Sequence, residues 1–183
     1  MERIRVLFPY VEAGFGHIMP MRSIDQTFRE KYGHRVEVLS SRFYTESGEA
    51  CLADYQKMLG KQVRAYNRVP ALGYLATFAC QIGGTTAASA AAIRLVAPRA
   101  CRAGIAHMEA LRPDVVFSTH WATNYYARHM ERRPLTVMYC PDAQQNKLFE
   151  YPCDLSLISM EDGYEKALRS GKYSPENLKR SPS

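Results

Sequence analysis

Ile4-Arg5-Val6-Leu7-Phe8-Pro9-Tyr10-Val11-Glu12-Ala13-Gly14-Phe15-Gly16-His17-Ile18-Met19-Pro20 is the stretch on which the fold turns. Ile4 to Phe8 is a short β-rich run ending at Pro9, and Glu12 to His17 is a loop carrying two glycines. A helix-like stretch follows from about Met19 to Lys31, and Gly33 stands where a helix-closing glycine belongs. Arg35 to Leu39 then alternates like a second strand. Two strands joined by a helix imply a right-handed parallel crossover.

The same alternation returns late in the chain. Asp114 to Ser118 is a buried-type strand, Ala122 to Glu131 suits a helix, Leu135 to Tyr139 is another strand, and Leu155 to Ile158 with the helix-like Glu161 to Ser170 completes the set. Parallel strands alternating with helices specify a doubly wound, Rossmann-like α/β sheet. In such a sheet ligands bind outside the carboxyl ends of the strands, so the informative loops follow Phe8, Ser118, Tyr139 and Ile158.

Between these halves Glu46 to Leu111 shows no strand and two or three helices. Within it, Val69 to Ile93 carries no charge over 25 residues, formally enough to span a bilayer at ~20 residues. Gln81, Gly83, Gly84, Thr85, Thr86 and Ser89 interrupt the apolar character, leaving Val69 to Ile82 as its strongly apolar part. That length belongs to core helices or to helices lying on a membrane surface. Thr85 or Thr86 is placed to cap an alanine-rich helix, Ala87 to Leu111, which Pro98 is expected to kink. Arg64 and Arg68 precede the apolar stretch and Arg94, Arg99 and Arg102 follow it. Cations flanking an apolar face suit anionic lipid, and equally a solvated face beside a buried one.

The chain has 183 residues, one domain on the usual prior, and can bury about two-thirds of its unfolded surface. With 46% hydrophobic and 23% charged residues it is neither disordered nor fibrous. A formal charge of +6 favours anionic partners without selecting among them. Five cysteines at irregular spacings form neither a disulfide framework nor a CxxC motif, and read as free thiols of a reducing cytosol. The N-terminal apolar run is too short for a secretory signal. No repeat, P-loop, G-x-S-x-G elbow or nucleic-acid motif is present.

Chemistry concentrates in the first loop. Its glycines let backbone approach a ligand, and the following helix offers unpaired N–H groups and a positive dipole end to a phosphate. The third glycine of a dinucleotide fingerprint is missing, which argues against nicotinamide. His17 stands at the mouth of the crevice with a resting pKa suited to a general base, or else caps the helix. Glu12, His120 and Asp142 stand at neighbouring strand ends, as accessory groups or as caps and turn residues. Trp121, the sole tryptophan, reads as core.

Three stretches carry a resemblance to a known family. Val6-Leu7-Phe8 through Gly14-Phe15-Gly16-His17-Ile18-Met19-Pro20 resembles the amino-terminal loop of GT-B glycosyltransferases, particularly the group of the peptidoglycan lipid intermediate transferase and the monogalactosyldiacylglycerol synthases. Arg112-Pro113-Asp114-Val115-Val116-Phe117-Ser118-Thr119-His120 is similar to that family's P-D-hydrophobic-S-x-H strand and loop. Val137 to Asp142 with Cys153 to Ser159 resembles its T-D strand end and following strand. Phe15 replaces a glycine usual in the lipid synthases, and the family's histidine after the T-D pair is absent from Ala143 to Asn146.

The resemblance implies half of a GT-B fold and inverting transfer of a sugar from a UDP-sugar to a hydroxyl, with His17 as the base. Gly14, Phe15 and Gly16 would then lie close to the donor phosphates, with no metal and no cofactor beyond the UDP-sugar co-substrate. It further implies that the helical insert, about 46–111, holds a diacylglycerol-like acceptor and meets the cytoplasmic membrane face through Arg64, Arg68 and Arg94. Residues 1–171 then form the acceptor-binding domain and 172–183 open an interdomain linker toward a donor domain that the chain lacks, leaving it inactive alone. The alternatives are a non-catalytic membrane-recruitment subunit of a split transferase and an unrelated α/β phosphate-binding domain.

Overall fold

The computed structural model describes residues 3–12, 15–82, 91, 94–95, 97–141 and 151–181, and at 15–17, 76–77 and 79–82 the backbone only. Along the chain run β1 (Ile4–Tyr10), α1 (Phe15–Tyr32), β2 (Val36–Arg42), α2 (Phe43–Glu46), α3 (Ala50–Arg68), α4 (Pro70–Ile82) and α5 (Pro98–Leu111). They are followed by β3 (Val115–Ser118), α6 (Trp121–Arg128), β4 (Leu135–Cys140), β5 (Leu155–Ile158), α7 (Glu161–Arg169) and β6 (Leu178–Arg180). The six strands make one sheet in the order β2-β1-β3-β4-β5-β6, every neighbouring pair parallel. This is the expected Rossmann-like, doubly wound α/β architecture. The order reverses between β1 and β3, so the switch point opens beyond Tyr10 and Ser118.

Burial on both faces explains the apolar strands. Val6, Phe8, Phe117, Val137 and Tyr139 face one cluster with Met21, Ile24 and Phe28 of α1. Leu7, Val116, Met138, Cys140 and Ile158 face the other, with Leu52 of α3, Met108 of α5, Ala122 to Ala127 of α6 and Ala167 of α7. Fully buried side chains such as Leu7 and Phe8 contribute about 1.5–3 kcal/mol each by leaving water.

Several boundaries differ from the sequence reading. Helix α1 begins at Phe15, not near Met19, because Ile18, Met21 and Asp25 continue its inward face a turn earlier. Pro20 therefore sits inside the helix, where it withholds one N–H from the ladder. Strand β1 runs past Pro9 to Tyr10, with Pro9 beyond the last β1–β3 pair and matched only to Ser41 of β2, an edge-like place that tolerates proline. Pro98 does not kink a helix but opens α5 at its first position, where the missing N–H has no partner to lose. The expected cap at Thr85 or Thr86 lies outside the described residues.

The tail corrects the linker expectation for 172–183: Leu178 to Arg180 are the sixth strand, paired with Ser156 to Ile158. Leu178 is fully buried, and the Ser156 N–H donates to the Asn177 carbonyl at 2.7 Å. One apolar residue anchors a strand too short to show alternation.

Candidate functional site

The crevice forms where β1 and β3 end side by side. From β1, Val11 is buried and Glu12 reaches solvent. Gln56 of α3 fixes Glu12 through its backbone, accepting the Glu12 N–H at 3.3 Å and donating to its carbonyl at 2.9 Å. Phe15, Gly16 and His17 form the first turn of α1, so His17 stands at the helix end that carries the positive dipole. Gly14 and Asp142 lie outside the described residues.

From β3, the loop is locked by buried hydroxyls. Ser118 Oγ accepts the His120 N–H at 2.9 Å and lies 2.5 Å from Thr123 Oγ1, which donates to the His120 carbonyl at 2.8 Å. His120 caps α6, its Nδ1 accepting the Ala122 N–H at 3.2 Å. That bond leaves the ring proton on Nε2, so neutral His120 is a donor there rather than a second base. Its ring stacks near Trp121, which packs on the core as expected.

Beside Glu12, between β1, β2 and α1, lies a cleft of about 250 Å3. Tyr10 OH donates to Asp25 Oδ2 at 2.8 Å, Ser40 Oγ to the same oxygen at 2.5 Å, and Arg29 Nε to Oδ1 at 2.8 Å. Burial and then the Asp25 carboxylate hold the Tyr10 phenol well above its ordinary range, so it stays a donor. Arg22, Arg42 and Glu46 complete the rim. The sequence reading missed this cluster because it ended β2 at Leu39. The available signal was Asp25 and Arg29 at helical spacing, with Ser40 and Ser41 prolonging the strand.

The three arginines assigned to lipid divide. Arg64 and Arg68 are exposed on the last turns of α3, next to α4. Arg94 is exposed as well, but it donates to the Tyr125 hydroxyl and lies 5.5 Å from that ring's centre, so its guanidinium has a partner within the fold. On α4, Tyr74 is 82% exposed, and Leu72, Leu75 and Phe78 are exposed with it. Gly73 lets the α3–α4 corner close, since a Cβ there would stand 3.3 Å from Tyr66 Cβ. No described helix is long and apolar enough to cross a membrane. Among the described residues no three metal-ligating side chains converge.

The fold and crevice together define a Rossmann-like α/β protein with a switch-point site. Comparison with family models, with curated proteins and with solved structures finds no match.

Proposed function

We propose that this domain is the acceptor-binding half of an inverting glycosyltransferase that moves a sugar from a UDP-sugar to a diacylglycerol-like lipid at the cytoplasmic membrane face. The observation that carries the reading is the switch point between β1 and β3, which gathers Glu12, the first turn of α1 with His17, and the His120 loop at one end of the sheet. The exposed apolar face of α4 beside Arg64 and Arg68 supports a lipid acceptor.

In this mechanism His17 takes the proton of the acceptor hydroxyl. The freed oxygen attacks the anomeric carbon, the bond from that carbon to the diphosphate oxygen breaks with inversion, and UDP leaves with the electron pair. The α1 amino terminus stabilises the negative charge growing on the diphosphate. His120, held at the start of α6 by its Nδ1 bond to Ala122, borders the acceptor side of the crevice, and Glu12 holds an acceptor hydroxyl.

The test is sugar transfer by the full-length protein from labelled UDP-glucose and UDP-galactose to diacylglycerol in phosphatidylglycerol vesicles. Loss of a positioned base in His17→Ala should lower the rate about 10²–10⁴-fold. A change within about threefold moves the base role elsewhere. Vesicle binding with no transfer from either donor favours the recruitment-subunit reading, which the exposed α4 face also supports.

A further inference from the structure

A second concave surface lies at the opposite end of the sheet, at the amino termini of β1, β3 and β4. This cleft has a volume of about 780 Å3, within the range of small-molecule sites. Its floor is apolar: Ile4, Val115 and Leu135 each lead a strand, and Ile4 and Leu135 remain 54% and 49% exposed. Four arginines line it from separate places in the chain: Arg3 before β1, Arg5 within it, Arg112 at the end of α5 and Arg132 in the turn before β4.

The carboxylates in the cleft are already engaged. Glu37 accepts Arg5 Nε at 2.9 Å and its terminal nitrogen at 3.1 Å, a bidentate pair that holds the Glu37 carboxyl below its ordinary range. Asp114 accepts the Arg5 backbone N–H at 2.8 Å and pairs with Arg132. Among the described residues Arg3 and Arg112 make no side-chain hydrogen bond, so their fork-shaped donors are open to a ligand, although the Arg3 charge also acts on Glu37 beside the Arg5 pair. Arg112 also holds a left-handed backbone at φ 47, ψ 51, the helix-ending conformation for which glycine is the unstrained choice. A guanidinium thus occupies a position where backbone preference alone would place glycine.

We propose that this cleft binds a small organic phosphate, with a flat apolar body on Ile4, Val115 and Leu135 and the phosphate gripped by Arg3 and Arg112. Guanidinium forks match phosphate oxygens in pairs. The apolar floor and the short reach between the arginines favour a compact ligand over a nucleic-acid chain, which would need an extended basic track. The site is separate from the carboxyl-end crevice and does not depend on the transferase reading.

The test is isothermal titration of the full chain with AMP, UMP and phenyl phosphate, beside adenosine and inorganic phosphate. Arg3→Ala and Arg112→Gly should each weaken the organic phosphates about tenfold or more, as loss of a charge-assisted bond does. Arg112→Gly should keep or raise the melting temperature, because glycine suits φ 47, so lost binding would not be lost folding. Adenosine should not bind, and inorganic phosphate should bind more weakly than AMP. Three outcomes overturn the proposal: no binding of any of the three esters at millimolar concentration, affinity indifferent to both substitutions, or affinity lost instead with Arg22→Ala and Arg42→Ala at the other end of the sheet.

Discussion

At position 104 the absence of a side chain sets the distance between α5 and α6. A Cβ there would stand 2.8 Å from Cε2 and Cζ of Tyr126, a fully buried ring stacked on Phe43 with centroids 5.6 Å apart. Gly104→Ala should therefore lower stability by about 1–3 kcal/mol despite alanine's better helix propensity, read as a shift in the urea midpoint. One turn further on, the His107 ring packs 5.0 Å from Phe43, and its Nε2 is buried without a hydrogen-bond partner among the described residues. Burial lowers the His107 pKa, opposed by the Glu46 carboxylate. Below the ordinary histidine value the unfolded chain then binds more protons than the folded one, so stability falls as pH drops through about 6.5. His107→Phe should flatten that part of a melting curve series between about pH 7 and 5, and an unchanged slope would assign it to another group. Neither role was legible in the sequence, where Gly104 and His107 belonged to no motif. Both depend on which rings meet them across the core.

At the scale of elements one device recurs. Asp114 stands just before β3 and accepts the Arg5 N–H of β1, while Asp154 stands just before β5 and accepts the Thr136 N–H of β4 at 2.8 Å and its hydroxyl at 2.7 Å. Arg132 and Arg133, from the same turn, pair with the two carboxylates in order. Each aspartate thus fastens the start of a strand to its neighbour. Asp114→Ala and Asp154→Ala should each cost about 1–3 kcal/mol in urea titration by orphaning a backbone donor. The exposed pair Asp54 and Lys57 should contribute at most about 0.5 kcal/mol. Burial pushes the Asp154 carboxyl up, but the two Thr136 bonds and Arg133 outweigh it and hold the group below its ordinary value. Its stabilisation is therefore present above the ordinary carboxylate pKa and is lost on acidification through the lowered one, a slope that Asp154→Asn should reduce. The sequence marked Asp114 as the start of a strand and through a resemblance to a strand-and-loop motif. The structure gives it a mechanical task.

For the molecule as a whole, the apolar face of α4 predicts behaviour at a lipid surface. Tyr74→Ser with Leu75→Ser should cut co-sedimentation with phosphatidylglycerol vesicles severalfold while leaving the melting temperature unchanged, since both side chains are exposed. Arg64→Ala and Arg68→Ala should each weaken it roughly fivefold at low salt, about 1 kcal/mol per cation. Arg94→Ala should weaken it less, because that guanidinium is held by Tyr125. Vesicle binding indifferent to all of these changes removes the membrane-surface reading. The sequence by itself determined the alternation of strands and helices, hence a parallel doubly wound sheet, because apolar periodicity and glycine-bearing loops are local signals. Only the tertiary structure decided the sixth strand at Leu178, the Tyr10–Asp25–Ser40 cluster, the pairing of Arg94 with Tyr125 and the arginine cleft at the amino ends of the strands. Each joins residues far apart in the chain, and no local preference records which partners the sheet order brings together.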